Sequence, residues 1–204
     1  MLVVVGGHSR GIGKTSVVAG LIRALPEWNW TALKITQTGH GICSSGGHAC
    51  GCAPAEPEHP FAISREEEAG PSDTGRFLAA GARQAFWVRT AMGQLGTVVP
   101  EIRKIIESSE NAIIESNSIL QFFRPRVYLA VMDFSKEDFK PSSLRFLDRA
   151  DALIVVDTGI NVPLWKNVSR GLWHKKRQFL AKPPRYCTAE IAEFVKTRLA
   201  QNGR

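Results

Sequence analysis

This sequence predicts an α/β fold, a mostly parallel sheet flanked by helices, and three observations carry that prediction. Short apolar runs of strand length alternate with longer stretches whose apolar residues recur at helical spacing, the pattern of a parallel sheet covered on both faces. The first run ends in Gly6-Gly7 and passes through a glycine-rich segment straight into the first helical stretch. The composition is that of an ordinary globular chain, with 204 residues of which 44% are hydrophobic and 22% charged. That balance excludes collagen, coiled coil and wholesale disorder, and the length suits a single domain over 1–204.

The elements follow in order. Residues 2–5 are apolar and valine-rich, as a buried strand requires. Residues 14–25 set Val17, Val18, Leu21, Ile22 and Leu25 at helical spacing, and Pro26 marks the stop. Residues 31–36 read as a second strand. Residues 37–72 are rich in Gly, Pro, Cys and Ser, show no periodicity, and are expected to form a Cys-rich insertion loop within the domain. A helix is expected over 73–82 and a strand over 85–89. A further helix over 98–107 carries Val98, Ile102, Ile105 and Ile106 on one side. Residues 112–115, 127–132 and 152–156 are three more strand-length apolar runs, and Phe146 and Leu147 suggest a helix before the last of them. Residues 188–199 form an amphipathic final helix with Ile191, Phe194, Val195 and Leu199 on its apolar side. No internal repeat is visible.

The net charge of +7 is unevenly spread: from residue 161 to 204 there are ten Lys or Arg against Glu190 and Glu193. Such a balance suits phosphorylated small molecules or an acidic partner, and equally a solvated basic surface. No apolar run approaches the roughly 20 residues that span a bilayer. The run at 2–5 is too short for a signal-peptide core, so a cytoplasmic location and no membrane partner are expected. Four cysteines, three of them within ten residues, point to metal or redox chemistry rather than to a disulfide scaffold.

The segment from Gly6 to Thr15 (GGHSRGIGKT) has the chemistry of a phosphate-binding loop. Glycines let the backbone wrap a phosphate with its N–H groups inward, and the start of the following helix adds donors and partial positive charge. The candidate binding residues are Gly7, His8, Ser9, Arg10, Gly11, Ile12, Gly13, Lys14, Thr15 and Ser16. Lys14 would reach the β- and γ-phosphates, the Thr15 hydroxyl would ligate Mg²⁺, and Arg10 would contact the γ-phosphate. The loop departs from the usual G-x4-G-K-[ST] pattern. It is G-x5-G-K-T, with His8 at the position where the glycine is expected.

This longer loop resembles that of dethiobiotin synthetases, members of the SIMIBI class of P-loop NTPases, and the resemblance implies a three-layer P-loop NTPase fold. Lys34-Ile35-Thr36-Gln37-Thr38-Gly39 is similar to that family's Lys-Pro-Val-Gln-Thr-Gly segment, with Ile35 in place of proline. In the middle of the chain, Ser72-Asp73-Thr74-Gly75-Arg76, then Ala80-Gly81-Ala82 and a strand, resemble MobB-type proteins of molybdopterin-guanine dinucleotide biosynthesis. Both families have a strand ending in an acid, as Ala112-Ile113-Ile114-Glu115 does, followed by glycine where this chain has Ser116. The likeness covers residues 2–120, and residues 125–204 match neither pattern. It implies Mg²⁺ held by Thr15, Glu115 and Asp73, with Asp73 alternatively only a helix N-cap. It also implies a Lys34 that faces phosphate and an anionic acceptor, which with Lys14, Glu115 and Arg10 makes the catalytic set. The implied ligand is ATP or GTP; no Asn-Lys-x-Asp guanine motif decides between them. The MobB likeness implies an accessory to molybdenum-cofactor maturation, working with a partner enzyme. The other implies an ATP-dependent ligase or small-molecule kinase. A homodimer would fit either.

Two further features stand outside those patterns. His40, Cys43, His48, Cys50 and Cys52 supply enough nitrogen and sulfur donors for a tetrahedral Zn²⁺ site, although the spacing is not a common zinc motif. That leaves room for a nucleotide-gated zinc-binding interaction module. Between Trp165 and Phe179, aromatics interleave with cations; they would cover the sheet with their lysines reaching to water, in preference to stacking nucleic-acid bases. Cys187 is expected to be a small core or loop residue.

Overall fold

The computed structural model describes residues 1–38 and 61–201. Strand β1 (Leu2–Gly7) is buried along its whole length, as a central strand must be when helices cover both faces. Around it lie β2 (Trp30–Thr38), β3 (Phe61–Arg65), β4 (Gln84–Ala91), β5 (Asn111–Glu115), β6 (Val127–Asp133), β7 (Ala152–Val156) and β8 (Arg177–Ala181). They form one eight-stranded sheet in the order β3-β4-β2-β5-β1-β6-β7-β8. Every neighbouring pair is parallel except β3 with β4.

Helices α1 (Lys14–Ala24), α2 (Asp73–Ala79) and α5 (Ala189–Ala200) bury Val17, Leu21, Phe77, Ile191 and Val195 in one core with Val3, Val5 and Ile113. The opposite face of the sheet packs on α3 (Leu95–Glu107) and the short α4 (Pro141–Phe146) through Val98, Ile102 and Phe146. The result is a three-layer α/β domain, a mostly parallel sheet with helices on both faces, as expected. Alternation along β1 explains the two cores: Val3 and Val5 enter one, Leu2 and Val4 the other.

Most expected elements are present with shifted ends. Strand 152–156 is found as expected, the helix expected over 73–82 ends at Ala79, and β2 runs on through Thr38. Two strands are additions. Phe61–Arg65, in the stretch expected to be an aperiodic loop, pairs antiparallel with β4 as an edge. Arg177–Ala181 extends the other edge from within the basic aromatic stretch. Trp165 and Trp173 are buried, at 7% and 8% exposure. They pack edge-on to Phe134 with centroids 5.1 and 5.6 Å away. They are core, which removes them as a base-stacking platform. Cys187 sits against Gly20, and burial pushes its thiol up to about 11.

Phe77 fixes α2 to the core and so holds the residues at the start of that helix over the sheet. Replacing the fully buried Phe77 by alanine should cost about 3–5 kcal/mol in urea unfolding. An effect under about 1 kcal/mol would show that α2 is not anchored there.

Candidate functional site

Parallel register brings the chemistry together at one edge. Val5 lies opposite Glu115 on β5, and Glu115 lies opposite Lys34 on β2. The carboxyl ends of β1, β2 and β5 therefore converge where open α/β sheets place ligands.

The loop between β1 and α1 closes over this edge. Gly13 stands before α1 with φ 90°, in the left-handed region, and a Cβ there would run into the Tyr186 ring. Val17 is the first α1 amide to bond back, to the Gly13 carbonyl at 2.9 Å. The N–H groups of the first turn thus have no intrahelical acceptor and give the helix start its anion preference. The Ile12 side chain is buried in the core beneath, so only its backbone faces the loop interior. Lys14 Nζ lies 2.7 Å from the Ser9 carbonyl. Burial pulls its amine below the ordinary lysine value, against the Glu115 charge that supports it.

The extra residue of the loop has a structural use. His8 is completely buried, its ring 4.8 Å from Trp165 and 5.1 Å from Phe139. The Asp133 N–H donates to His8 Nε2 at 2.9 Å, which makes Nδ1 the protonated nitrogen, donating to the Asp138 carbonyl at 2.9 Å. The His8 N–H donates to the Val131 carbonyl and its own carbonyl accepts from Lys140 N–H. Gly7 is engaged in the same way: its N–H and C=O both pair with the Asn117 side-chain amide, each at 2.9 Å. The expectation that Gly7 and His8 present themselves to phosphate is thereby corrected, because their polar backbone groups are committed to the protein. They hold the frame, and the candidate cradle runs from Ser9 to Ser16. A Cβ on Gly6 would collide with the same Asn117 side chain.

Beside the helix start, Thr15 Oγ1 donates to Glu115 Oε2 at 2.7 Å. The other Glu115 oxygen accepts from Lys34 Nζ, which also pairs with Asp73 Oδ2 at 2.9 Å. Glu115 is 2% exposed, so its charge needs these partners. Burial depresses the Lys34 amine, but Glu115 and Asp73 together outweigh that and hold it above its ordinary value. Asp73 in turn is kept low despite its burial, by Lys34, the Thr15 hydroxyl and Arg76. Ser72, not Asp73, caps α2, its Oγ accepting from Gly75 N–H at 2.9 Å. Asp73 is therefore left to the site. Arg76 Nη2 donates to Ser16 Oγ at 2.9 Å and ties α2 to α1.

Thr15, Glu115 and Asp73 form a hard-oxygen donor set of the kind that suits Mg²⁺, which takes one or two carboxylates and completes its shell with phosphate and water. Among the described residues no cluster of three or more His, Cys, Asp or Glu forms a metal cage. His40, Cys43, His48, Cys50 and Cys52, expected as zinc ligands, lie outside the described residues. No described helix is long and apolar enough to cross a membrane.

Asn117, Asp138 and Lys140 are site residues that sequence reasoning did not find. Ser9 Oγ donates to the Asp138 carboxylate at 2.7 Å. Lys140 carries an amine lowered to about 8, by burial first and then by the charges of Lys14 and Arg10. No motif marks these residues; only the placement of β6 beside β1 brings residues 133–140 to the loop.

No protein-family model and no curated protein matches this sequence. Solved structures do resemble its fold. HypB from Helicobacter pylori, in complex with nickel, superposes with a TM-score of 0.51 at 15% identity, over 97% of this chain and 84% of that one. The hydrogenase maturation factor HypB from Archaeoglobus fulgidus gives 0.52 at 11% identity, over 97% and 90%. "Apo" form LpxK from Aquifex aeolicus, in complex with ATP, gives 0.48 at 17% identity over 88% of this chain, a likeness too weak to bear on function. This chain spans 53% of the LpxK chain. At these identities the likeness is one of fold.

Burial lowers the His8 pKa from 6.5, so the folded loop requires the neutral ring. Its contribution is complete above pH 6.5 and declines below it, because the unfolded chain takes up a proton that the folded one refuses. The thermal unfolding midpoint should therefore drop as pH falls from 7 to 5. His8→Ala should cost about 2–4 kcal/mol through the lost ring and the orphaned Asp133 N–H, and should flatten that acid-side decline. A mutant with an unchanged pH slope would refute the neutral buried ring.

Proposed function

We propose that this chain is a Mg²⁺-dependent nucleotide-binding protein that takes ATP or GTP at the carboxyl ends of β1, β2 and β5. The observation that carries this is the joining of buried Thr15 and Glu115 with the more accessible Lys34 and Asp73 into one network beside the start of α1. Phosphoryl chemistry asks a protein for position and charge more than for covalent work. Here the α1 amides and Lys14 would hold the β- and γ-phosphates, and Arg10 would reach the γ-phosphate from within the loop. Thr15, Glu115 and Asp73 would hold Mg²⁺, which when bound neutralises charge across the β- and γ-oxygens. Lys34, anchored by two carboxylates, would orient an anionic acceptor or the terminal phosphate.

Within that class we favour a cytoplasmic, MobB-like accessory in molybdenum-cofactor biosynthesis, acting on a partner enzyme. Asp73 at the first position of α2, directed to Lys34, supports it. So does the fold shared with a hydrogenase maturation factor. A dethiobiotin-synthetase-like ligase or small-molecule kinase is the second reading, favoured by Lys34 standing in register with Glu115. A homodimer is compatible with both. Metal analysis of the purified chain tests whether Cys43, Cys50, Cys52, His40 and His48 make it also a zinc-binding module.

A thermal-shift panel of ATP, GTP, ADP and GDP with and without Mg²⁺ tests the reading. Ligand at 100 times its Kd should add about 2.7 kcal/mol. Lys14→Ala should abolish the shift, and Glu115→Gln should reduce its Mg²⁺-dependent part at least tenfold in affinity. A wild-type chain that no nucleotide stabilises would sink the proposal. Turnover only with an added acceptor would favour the ligase or kinase reading over the accessory one.

A further inference from the structure

Residues 133–140, which lead from β6 into α4, are fastened to the phosphate loop at successive points. Asp133 and Asp138 hold the two ring nitrogens of His8, Asp138 accepts from Ser9, and Lys140 donates its N–H to the His8 carbonyl at 2.8 Å. The residue that makes this loop longer than usual is therefore the one that carries Lys140 to its edge. The Lys140 side chain is half-buried there. Its amine feels Lys14 of α1, Arg10 of the loop and Lys34 of β2 as like charges, and Asp138 of its own segment as the opposing one. Among the described residues no carboxylate forms an ion pair with it. Glu115 and Asp73 are committed to Lys34, and Asp138 to Ser9. Such a gathering of cations around a loop suits a polyphosphate.

We infer that Lys140 is a phosphate-contacting residue directed at the terminal phosphate of a nucleoside triphosphate, positioned by the extra loop residue His8. The inference rests on the nucleotide-binding reading and deepens it. Lys14 would span the β- and γ-phosphates, so a second amine brought to the same loop would make the triphosphate state distinguishable from the diphosphate. A half-titrated amine that meets phosphate takes up a proton, which gives a signature that loss of mere packing would not show.

Isothermal titration of the full chain with Mg²⁺ and ATP, ADP, GTP or GDP tests this, using wild type, Lys140→Met and Lys140→Arg. Lys140→Met should weaken the triphosphate at least tenfold and the diphosphate less than threefold, while Lys140→Arg should stay within threefold for both. At pH 8, in buffers of differing ionisation enthalpy, wild type should take up about half a proton with the triphosphate. Lys140→Met should take up measurably less. Equal weakening of both nucleotides, no weakening, or proton uptake that is absent in wild type or undiminished in Lys140→Met would overturn the inference. If Lys140→Met does not fold, the wild-type proton count and the Lys140→Arg affinities decide it. A wild type that binds no nucleotide overturns the underlying reading and this inference together, whereas wild-type binding with an indifferent Lys140 overturns this inference alone.

Discussion

A carboxylate almost wholly removed from water cannot remain charged without partners, and Glu115 is the group on which the rest of this site turns. Its two oxygens are satisfied from different parts of the chain, one by the Thr15 hydroxyl and the other by the Lys34 ammonium. Removing one member of such a buried pair typically costs about 3–5 kcal/mol. The arrangement therefore locks together α1, β2 and β5, and through Asp73 it draws in α2. The same atoms that stabilise the fold are those a Mg²⁺ and a phosphate would use. If the site binds as proposed, one electrostatic network would set both stability and binding, and the two would change together.

The longer phosphate loop solves a packing problem in an unusual way. Where a glycine would let the chain turn tightly, His8 turns inward and fills a slot lined by Trp165 and Phe139. A buried imidazole must have its ring nitrogens satisfied, and both partners come from residues 133–138. The loop is consequently braced from the β6 side by His8 and from the β5 side by Asn117, whose amide pairs with both polar groups of Gly7. Bracing on both flanks fixes the loop from within the protein, without requiring a ligand to order it.

Much of the fold was legible because strands buried on both faces read as continuous apolar runs and helices as 3.6-residue periodicity; residues 152–156 and the stripe at Val98 and Ile102 are instances. Edge strands were not legible. Phe61–Arg65 and Arg177–Ala181 are the end strands of the sheet among the described residues and carry polar residues on exposed positions, so neither apolar continuity nor clean alternation marks them. Lys14, Thr15 and Glu115 were legible as candidates because chemistry and spacing constrain them locally. Asn117, Asp138 and Lys140 were missed because their parts depend on neighbours more than a hundred positions away in sequence.

The sequence by itself determined the fold class, the glycine-rich turn that opens the first helix, and the carboxylate at the end of a central strand. These follow from short-range rules: periodicity, glycine's freedom of φ, and the need of a helix start for an anion. Only the tertiary structure decided that His8 is a buried brace, that Ser72 rather than Asp73 caps α2, and that Trp165 belongs to the core. Those outcomes turn on which strands lie side by side. Sheet order is set by the burial of whole surfaces against one another, a property no single segment carries.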